Sequence, residues 1–477
     1  MLIAPPEVRL PSAASIDRAK RELVAALGPS KVIDDRDGCE RYARDESEAI
    51  GRAPDVVVVA ETADDVAKAL TVADRCDVPL TPRAGGTGRT GGAVPVAGGI
   101  VLATHMLAQV KEIDRRDRIA VVQPGVITGD FHAMVEKEGL FYPPDPNSLT
   151  YCMLGGNVAE NAGGPRAFKY GVTRDYVLGL EACLMGGRVL RTGRRVVKGV
   201  TGYDVTALLV GSEGTLAVFT EVTLRLVSKP PHIATALALF ADVHACARAV
   251  SVIVEAGLVP RCLELLDSAT LDAVRANNVA IDPRAGAMLL IEVDGDERAA
   301  DESLERIGVA LEGLDGLVDI VVAQDGAQRS RLWEARRALS PATRKLAKFK
   351  LSEDVVVPRS KIPALLAEVD RIGERTKVRH LTYGHAGDGN LHVNFLWNDD
   401  AEREPVNQAI EALMRVTVAL GGTLSGEHGI GVAKAQYLSL EQSPELIQVQ
   451  RDVKRVFDPK ELLNPGKIFP TRGHGGC

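Results

Sequence analysis

The 477-residue chain lacks most of the marks of a membrane, secreted or nucleic-acid-binding protein. It has no run of about 18 apolar residues, so no segment is expected to span a bilayer. Its start, MLIAPPEVRLPS, has neither a basic n-region nor a long apolar core and does not read as a secretory signal. Positive charge is not in excess: 57 Lys and Arg against 64 Asp and Glu give a net −7, without a basic stripe, which excludes a nucleic-acid partner. The seven cysteines (Cys39, Cys76, Cys152, Cys183, Cys246, Cys262 and Cys477) are odd in number and scattered, and none forms CxxC. That pattern argues for a reducing, cytoplasmic setting and against a cysteine-ligated iron–sulfur cluster or zinc ribbon. Membrane association would then be peripheral, at the inner face and through a partner. Internal repeats are also absent.

What is present is an ordinary globular composition, 45% apolar and 25% charged. The length suggests roughly three domains of about 150 residues each. Helical periodicity covers 16–27, PDVVVVA (54–60) reads as a buried strand, and 62–77 reads as a helix with Thr62 as N-cap. Strands follow at 99–104 and 118–126 and a helix at 128–140, a mixed α and β beginning. SKPPH (228–232) reads as a linker. Beyond it strands and helices alternate to about residue 425, and a helix precedes DPKELLNPGKIF. The expected divisions are therefore 1–228, 229–425 and 426–477.

Two segments are rich in small residues. PRAGGTGRTGG (82–92) has five glycines in eleven positions, so backbone amides there can converge on an anion. It has neither the Walker A ending nor the Rossmann spacing. GGNVAENAGGPRAFKYG (155–171) offers small residues and Asn side chains against which a flat, extended ligand could lie. Each is readable alone as an irregular turn; together they favour one long dinucleotide touching both.

Three of the nine histidines fall in YGHAGDGNLHVN (383–394) and SGEHGIG (425–431). In an extended segment His392 and Asn394 share a face, and the AGDG turn could fold His385 back beside His392. With Glu427 these residues make a His2Glu set able to hold a divalent metal with a position left open for substrate. The same histidines could instead cap turns. His428, next to Glu427, has a side chain suited to general-base work.

These segments resemble the FAD-binding family of vanillyl-alcohol oxidase and p-cresol methylhydroxylase. The resemblance is closest to its branch of FAD-linked D-2-hydroxyacid dehydrogenases, which includes D-lactate dehydrogenases, glycolate oxidase flavin subunits and D-2-hydroxyglutarate dehydrogenases. PRAGGTGRTGG, PPDPNS with GGNVAENAGGPRAFKYG, GSEGTLAVFTEVTLRL, SEDVVVPRSKI, the two histidine segments and NPGKIFP occur in family order across nearly the whole chain. The resemblance implies an α+β fold. A two-subdomain FAD-binding domain would be followed by an α/β substrate (cap) domain and a C-terminal helical segment returning to the flavin.

It further implies that Arg83, Ala84, Gly85, Gly86, Thr87, Gly88, Thr90 and Gly91 hold the FAD pyrophosphate. Pro144, Asp145, Ser148, Gly155, Asn157, Asn161, Gly164 and Tyr170 would line the flavin and ribityl chain. Glu213 and Gly214 would lie near the adenine half, with Asn464 over the isoalloxazine. Ala84 departs from the glycine of many relatives. The first loop contains neither His nor Cys, so FAD is expected to be non-covalent.

By the same resemblance His385, His392 and Glu427 bind the metal, zinc first, with manganese or iron compatible. His428 would take the hydroxyl proton while hydride passes to the flavin, and Arg336, in RLWEARRALS, would clamp the substrate carboxylate, with Arg337 as a neighbouring decoy. Relatives acting on a dicarboxylate carry a further lysine. Lys345, Lys348 and Lys350 compete for that place; Lys350 is the choice, and the unresolved spacing favours D-lactate. Electrons would leave to a quinone, a cytochrome or an electron-transfer flavoprotein, with an iron–sulfur partner subunit in the glycolate oxidase alternative. Oligomeric state is left open, a dimer being compatible.

Overall fold

The four valines at 56–59 form a buried strand because β-branched side chains pack well on both faces of a covered sheet. Thr62 then caps the helix Ala63–Cys76 in a reciprocal capping box with Asp65. The strand joins a four-stranded sheet in the order Val32–Ile33, Val56–Val59, Ile100–Ala103, Leu80–Arg83. Two of its three pairings, both made by Ile100–Ala103, are parallel, as a βαβ connection through that helix requires. A second sheet is wholly antiparallel: Val110–Asp114, Ile119–Val122, Val218–Arg225, Val177–Cys183, Val189–Gly193.

The computed structural model describes residues 8–49 and 51–469. The opening residues MLIAPPE, the final GHGGC and with it Cys477 lie outside them. The chain divides into two units. The loop unit contains both sheets above and takes the chain up to Gly163, Val172–Lys229, and Glu427 onward. The sheet unit takes Gly164–Gly171 and Pro230–Gly426. The short segment 164–171 is thus assigned away from its sequence neighbours, and the C-terminal residues join the loop unit.

The sheet unit is built on seven antiparallel strands. Their order is Leu317–Val322, His232–Phe240, Ala287–Gly295, Cys262–Leu266, Arg379–His385, Asn390–Trp397, Phe349–Val356. The period of two gives its faces different characters. His380, on one face, bonds to Asp370 of the helix Ile362–Thr376. Leu381 and Tyr383, on the other, pack with Leu271 and Val274 of Ser268–Arg275 and with Ala335, Leu339 and Ala342 of Glu334–Arg344. Among these apolar contacts the second face also carries a row of charged side chains.

Candidate functional site

The row follows from register. Glu264 lies opposite His385, and His392 lies opposite both Tyr383 and Asp354, so all five side chains share one face of the sheet. The hairpin between Arg379–His385 and Asn390–Trp397 brings the two histidines together, with ring centroids 5.4 Å apart and planes nearly perpendicular. Gly389 makes the turn possible: its φ is +87°, and a Cβ there would come within 2.1 Å of the Val357 carbonyl oxygen.

Glu264 is fully buried in a strand buried at every position. One carboxylate oxygen is 2.6 Å from His385 Nδ1, and the other accepts from Arg336 Nε at 2.6 Å. Burial works to raise its pKa, but the His385 and Arg336 charges outweigh that and hold it down to about 2. An ionised carboxylate only accepts, so His385 donates through Nδ1 and, in its neutral form, carries its lone pair on Nε2. That nitrogen is the one suited to a divalent cation, and the His392 ring stands beside it, a pair of donors that fits a metal.

Arg336 is buried because it lies on the face of its helix that also carries Leu339 and Thr343, whereas Arg337 is exposed and bonds to Ser330. The guanidinium carbon of Arg336 stands 5.7 Å from the Tyr383 ring centroid. Lys350 Nζ stands 5.8 Å from the same centroid and donates to Thr343 Oγ1 at 2.8 Å. Lys345, bonded to Asn277, and Lys348, over Phe349, are exposed. Of the three lysines only Lys350 therefore joins Arg336 at this ring.

Asp354, also fully buried, accepts from Asn390 Nδ2, Ser425 Oγ and the Gly426 amide, and lies 4.0 Å from His392 Nδ1. Asn394 spends its amide on the His392 carbonyl at 2.9 Å, a supporting place. Tyr170 belongs to the sheet unit, where its hydroxyl donates to Asp294 beside Lys169 and Arg261.

In the loop unit, the two glycine-rich segments adjoin. A Cβ on Gly85 would lie 3.3 Å from the Tyr151 carbonyl, whereas one on Gly156 would find only Ala84, at 3.9 Å. Packing of the protein alone thus does not demand glycine at 156, and the open space suits a bound ligand. Asn464 points the same way. It is 1% exposed, and its Nδ2 donates to the Gly92 and Glu213 carbonyls, yet its Oδ1 has no hydrogen-bond partner among the described residues. A buried orphan acceptor in a cradle of small residues fits a flavin nucleotide with its own donors.

Other expected contacts are occupied by the protein itself. Asn157 donates to Thr128 Oγ1 at 2.6 Å, and Asn161, at φ +56°, caps its helix and accepts from the Arg174 amide. The Pro144 carbonyl meets His132 Nε2, Asp145 is buried, and the Ser148 carbonyl accepts from Tyr151 and Cys152. The Arg83 side chain donates to the Arg44 carbonyl.

Glu213 binds the Ile430 and Gly431 amides at 2.8 and 2.7 Å, and Thr90 Oγ1 donates to the His428 carbonyl at 3.0 Å. The backbone of His428 is in this way tied to Thr90 of the first glycine loop. His428 Nε2 is 3.7 Å from Glu427 Oε1. Beside them Glu160 approaches Glu213 closely enough that a Cβ on Gly429 would touch both carboxyls. Burial first, then the Glu213 and Asp45 charges, push the Glu160 pKa well above the usual carboxylate range.

Glu264, Asp354 and Glu160 were not among the residues singled out from sequence. A signal existed for the first: a glutamate inside the otherwise apolar CLELL is a charge placed where charges are almost never left unpaired.

Comparison with known proteins identifies two family matches along the chain. Residues 54–193 match the model of an FAD binding domain, and residues 229–468 that of the C-terminal domain of FAD linked oxidases. The chain is 40% identical over 454 residues to the glycolate oxidase subunit GlcD of Bacillus subtilis strain 168, covering 94% of this chain and 96% of that one. It is 34% identical to a D-lactate dehydrogenase of Anaerostipes hadrus over 93% of this chain and 95% of the other. Among solved structures, 4-ethylphenol oxidase from Gulosibacter chungangensis superposes with a TM-score of 0.80 at 20% identity, covering 97% of this chain and all of that one, a likeness of fold.

Proposed function

Because this chain belongs to the FAD-linked oxidases, we propose that it is an FAD- and divalent-metal-dependent dehydrogenase of a D-2-hydroxy acid, D-lactate or a close monocarboxylate. The observation that carries this reading is the buried Arg336–Glu264–His385 array, which sets a guanidinium and a ligand-type imidazole on one carboxylate. A 2-hydroxy acid has matching groups, a carboxylate and an adjacent hydroxyl. Arg336 receives the carboxylate, since a guanidinium offers parallel donors. His428 takes the hydroxyl proton at a ring nitrogen. His385, His392 and Glu427 are the residues that would hold the metal, zinc by the donor set, with manganese and iron compatible. The amides of 83–91, with Asn464, would hold FAD non-covalently. When bound, FAD would supply an acceptor for the α-hydrogen and its electron pair, and a metal would supply positive charge to lower the pKa of the hydroxyl. Electrons then pass to a quinone, a cytochrome or an electron-transfer flavoprotein.

Likeness to a glycolate oxidase subunit supports a second reading, in which the chain works with an iron–sulfur partner subunit. The place of Lys350 beside the Tyr383 ring also reopens a dicarboxylate such as D-2-hydroxyglutarate. Turnover of D-lactate, glycolate, D-2-hydroxyglutarate and D-malate with an artificial acceptor separates these. The first reading expects the highest kcat/KM with D-lactate and is refuted if none of the four is oxidised.

No helix among the described residues is long and apolar enough to cross a membrane. None of the six described cysteines forms a disulfide, and all six are buried.

A further inference from the structure

Glu264 is not a ligand in the reading above and touches neither of the reacting bonds, yet its carboxylate binds a member of each half of the proposed site. We propose that Glu264 is a positioning residue that couples the two halves: one oxygen fixes the His385 tautomer for metal ligation, and the other fixes the Arg336 fork for the substrate carboxylate. This inference rests on the metal-dependent hydroxy-acid reading.

Three features carry it. The first is geometry: the oxygens divide their partners, Oε1 to His385 Nδ1 and Oε2 to Arg336 Nε, each at 2.6 Å. A carboxylate has two equivalent acceptors and no donor, so it can serve two N–H groups at once; a carboxamide cannot, because its NH2 would face one of them. The second is rigidity. Glu264 sits in mid-strand, hydrogen-bonded on both sides to Leu290 and His385 partners, and is fully buried. It therefore holds its partners to a fixed backbone rather than to a loop. The third is atom choice. Glu264 engages Arg336 through Nε, so the bond leaves the terminal Nη pair, the natural two-pronged donor for a carboxylate, outside it. On the histidine it engages Nδ1, which leaves Nε2 as the ligating atom.

The consequence is coupling. A change at Glu264 alters metal affinity and substrate-carboxylate binding together, whereas a residue of merely structural importance alters neither in protein that stays folded. The test uses FAD-loaded full-length protein, wild type and Glu264→Gln. Zinc affinity is read by chelator competition, and KM and kcat by turnover with D-lactate. The expected result is zinc affinity weaker by about 10- to 100-fold together with a raised KM. Wild-type zinc affinity and KM in folded Glu264→Gln overturn the proposal.

Should that variant not fold, 15N spectra of histidine-labelled wild type decide independently. An Nδ1-protonated His385 supports the assignment, and an Nε2-protonated His385 overturns it. A wild-type protein that binds zinc but is not reduced by any hydroxy acid sinks the functional reading while leaving Glu264 as the histidine's anchor. Reduction by D-lactate alongside an unaffected Glu264→Gln sinks only the coupling.

Discussion

Glu264 in the sheet unit and Glu160 in the loop unit are both carboxyls withdrawn from solvent, yet one is held ionised and the other is driven toward neutrality. Burial raises both. What differs is the company. His385 and Arg336 face Glu264, while Glu213 and Asp45 crowd Glu160. Glu213 itself is relieved by the Ile430 and Gly431 amides, and Lys467, pushed down to about 7 by burial, lies near it. The sheet unit thus spends its buried charge on orienting cationic donors. The loop unit gathers Glu160, Glu213 and Asp45 close enough to act on one another, near a loop whose amides are expected to meet a nucleotide.

The comparison can be broken first through kinetics. On the proposed reading His428 is the base and Arg336 the clamp, so their substitutions should split between kcat and KM. His428→Ala should lower kcat by about 10²–10⁴-fold with KM nearly kept, measured by turnover with D-lactate. A KM effect alone would move His428 out of the base role. The activity of the wild type should rise with pH as the base loses its proton, and His428→Ala should remove that dependence.

Removing Arg336 comes next. Arg336→Ala strips a buried carboxylate of one partner and should cost about 3–5 kcal/mol of stability by urea unfolding. A loss below about 1 kcal/mol, the scale of an exposed pair, would show that Glu264 does not depend on it.

The pH dependence of stability should run in opposite directions for the two carboxyls. Glu264 is held below its ordinary 4.5, so it stabilises the fold above that pH and loses its contribution as pH falls toward about 2. The gap between the stability curves of wild type and Glu264→Gln should therefore be full above pH 4.5 and close as pH falls toward about 2. Glu160 is raised, so its charged form is a burden at neutral pH and no burden below 4.5. Glu160→Gln should add stability of the order of 1 kcal/mol at neutral pH, a gain that vanishes in acid. A loss at neutral pH would mean that Glu160 has a cationic partner in solution. The smallest effect is expected at Lys350. On the lactate reading, Lys350→Met should change D-lactate turnover by only about 2- to 3-fold, within ordinary context effects; a larger, selective loss with D-2-hydroxyglutarate would favour the dicarboxylate.

Much of this arrangement was legible in the sequence because it depends on local rules. The period of two and the AGDG turn placed His385 beside His392, Thr62 announced its helix, and the glycines marked two loops that do adjoin. Contacts between distant strands were not legible. Glu264 lies 121 residues from His385, and only the strand order pairs them. The lysine ambiguity had the same origin: three lysines within six positions differ only in which way their strand or helix end faces. Tyr170 illustrates the converse, a residue in a flavin-like motif whose hydroxyl is committed to Asp294 in the sheet unit.

The central claim is that a D-2-hydroxy acid delivers its electrons to FAD held by this chain. Anaerobic mixing of the FAD- and zinc-loaded protein with D-lactate, followed by the visible flavin spectrum, tests it most directly. Rapid bleaching is expected with D-lactate and little with L-lactate. A flavin that stays oxidised with D-lactate, glycolate and D-2-hydroxyglutarate alike would contradict it.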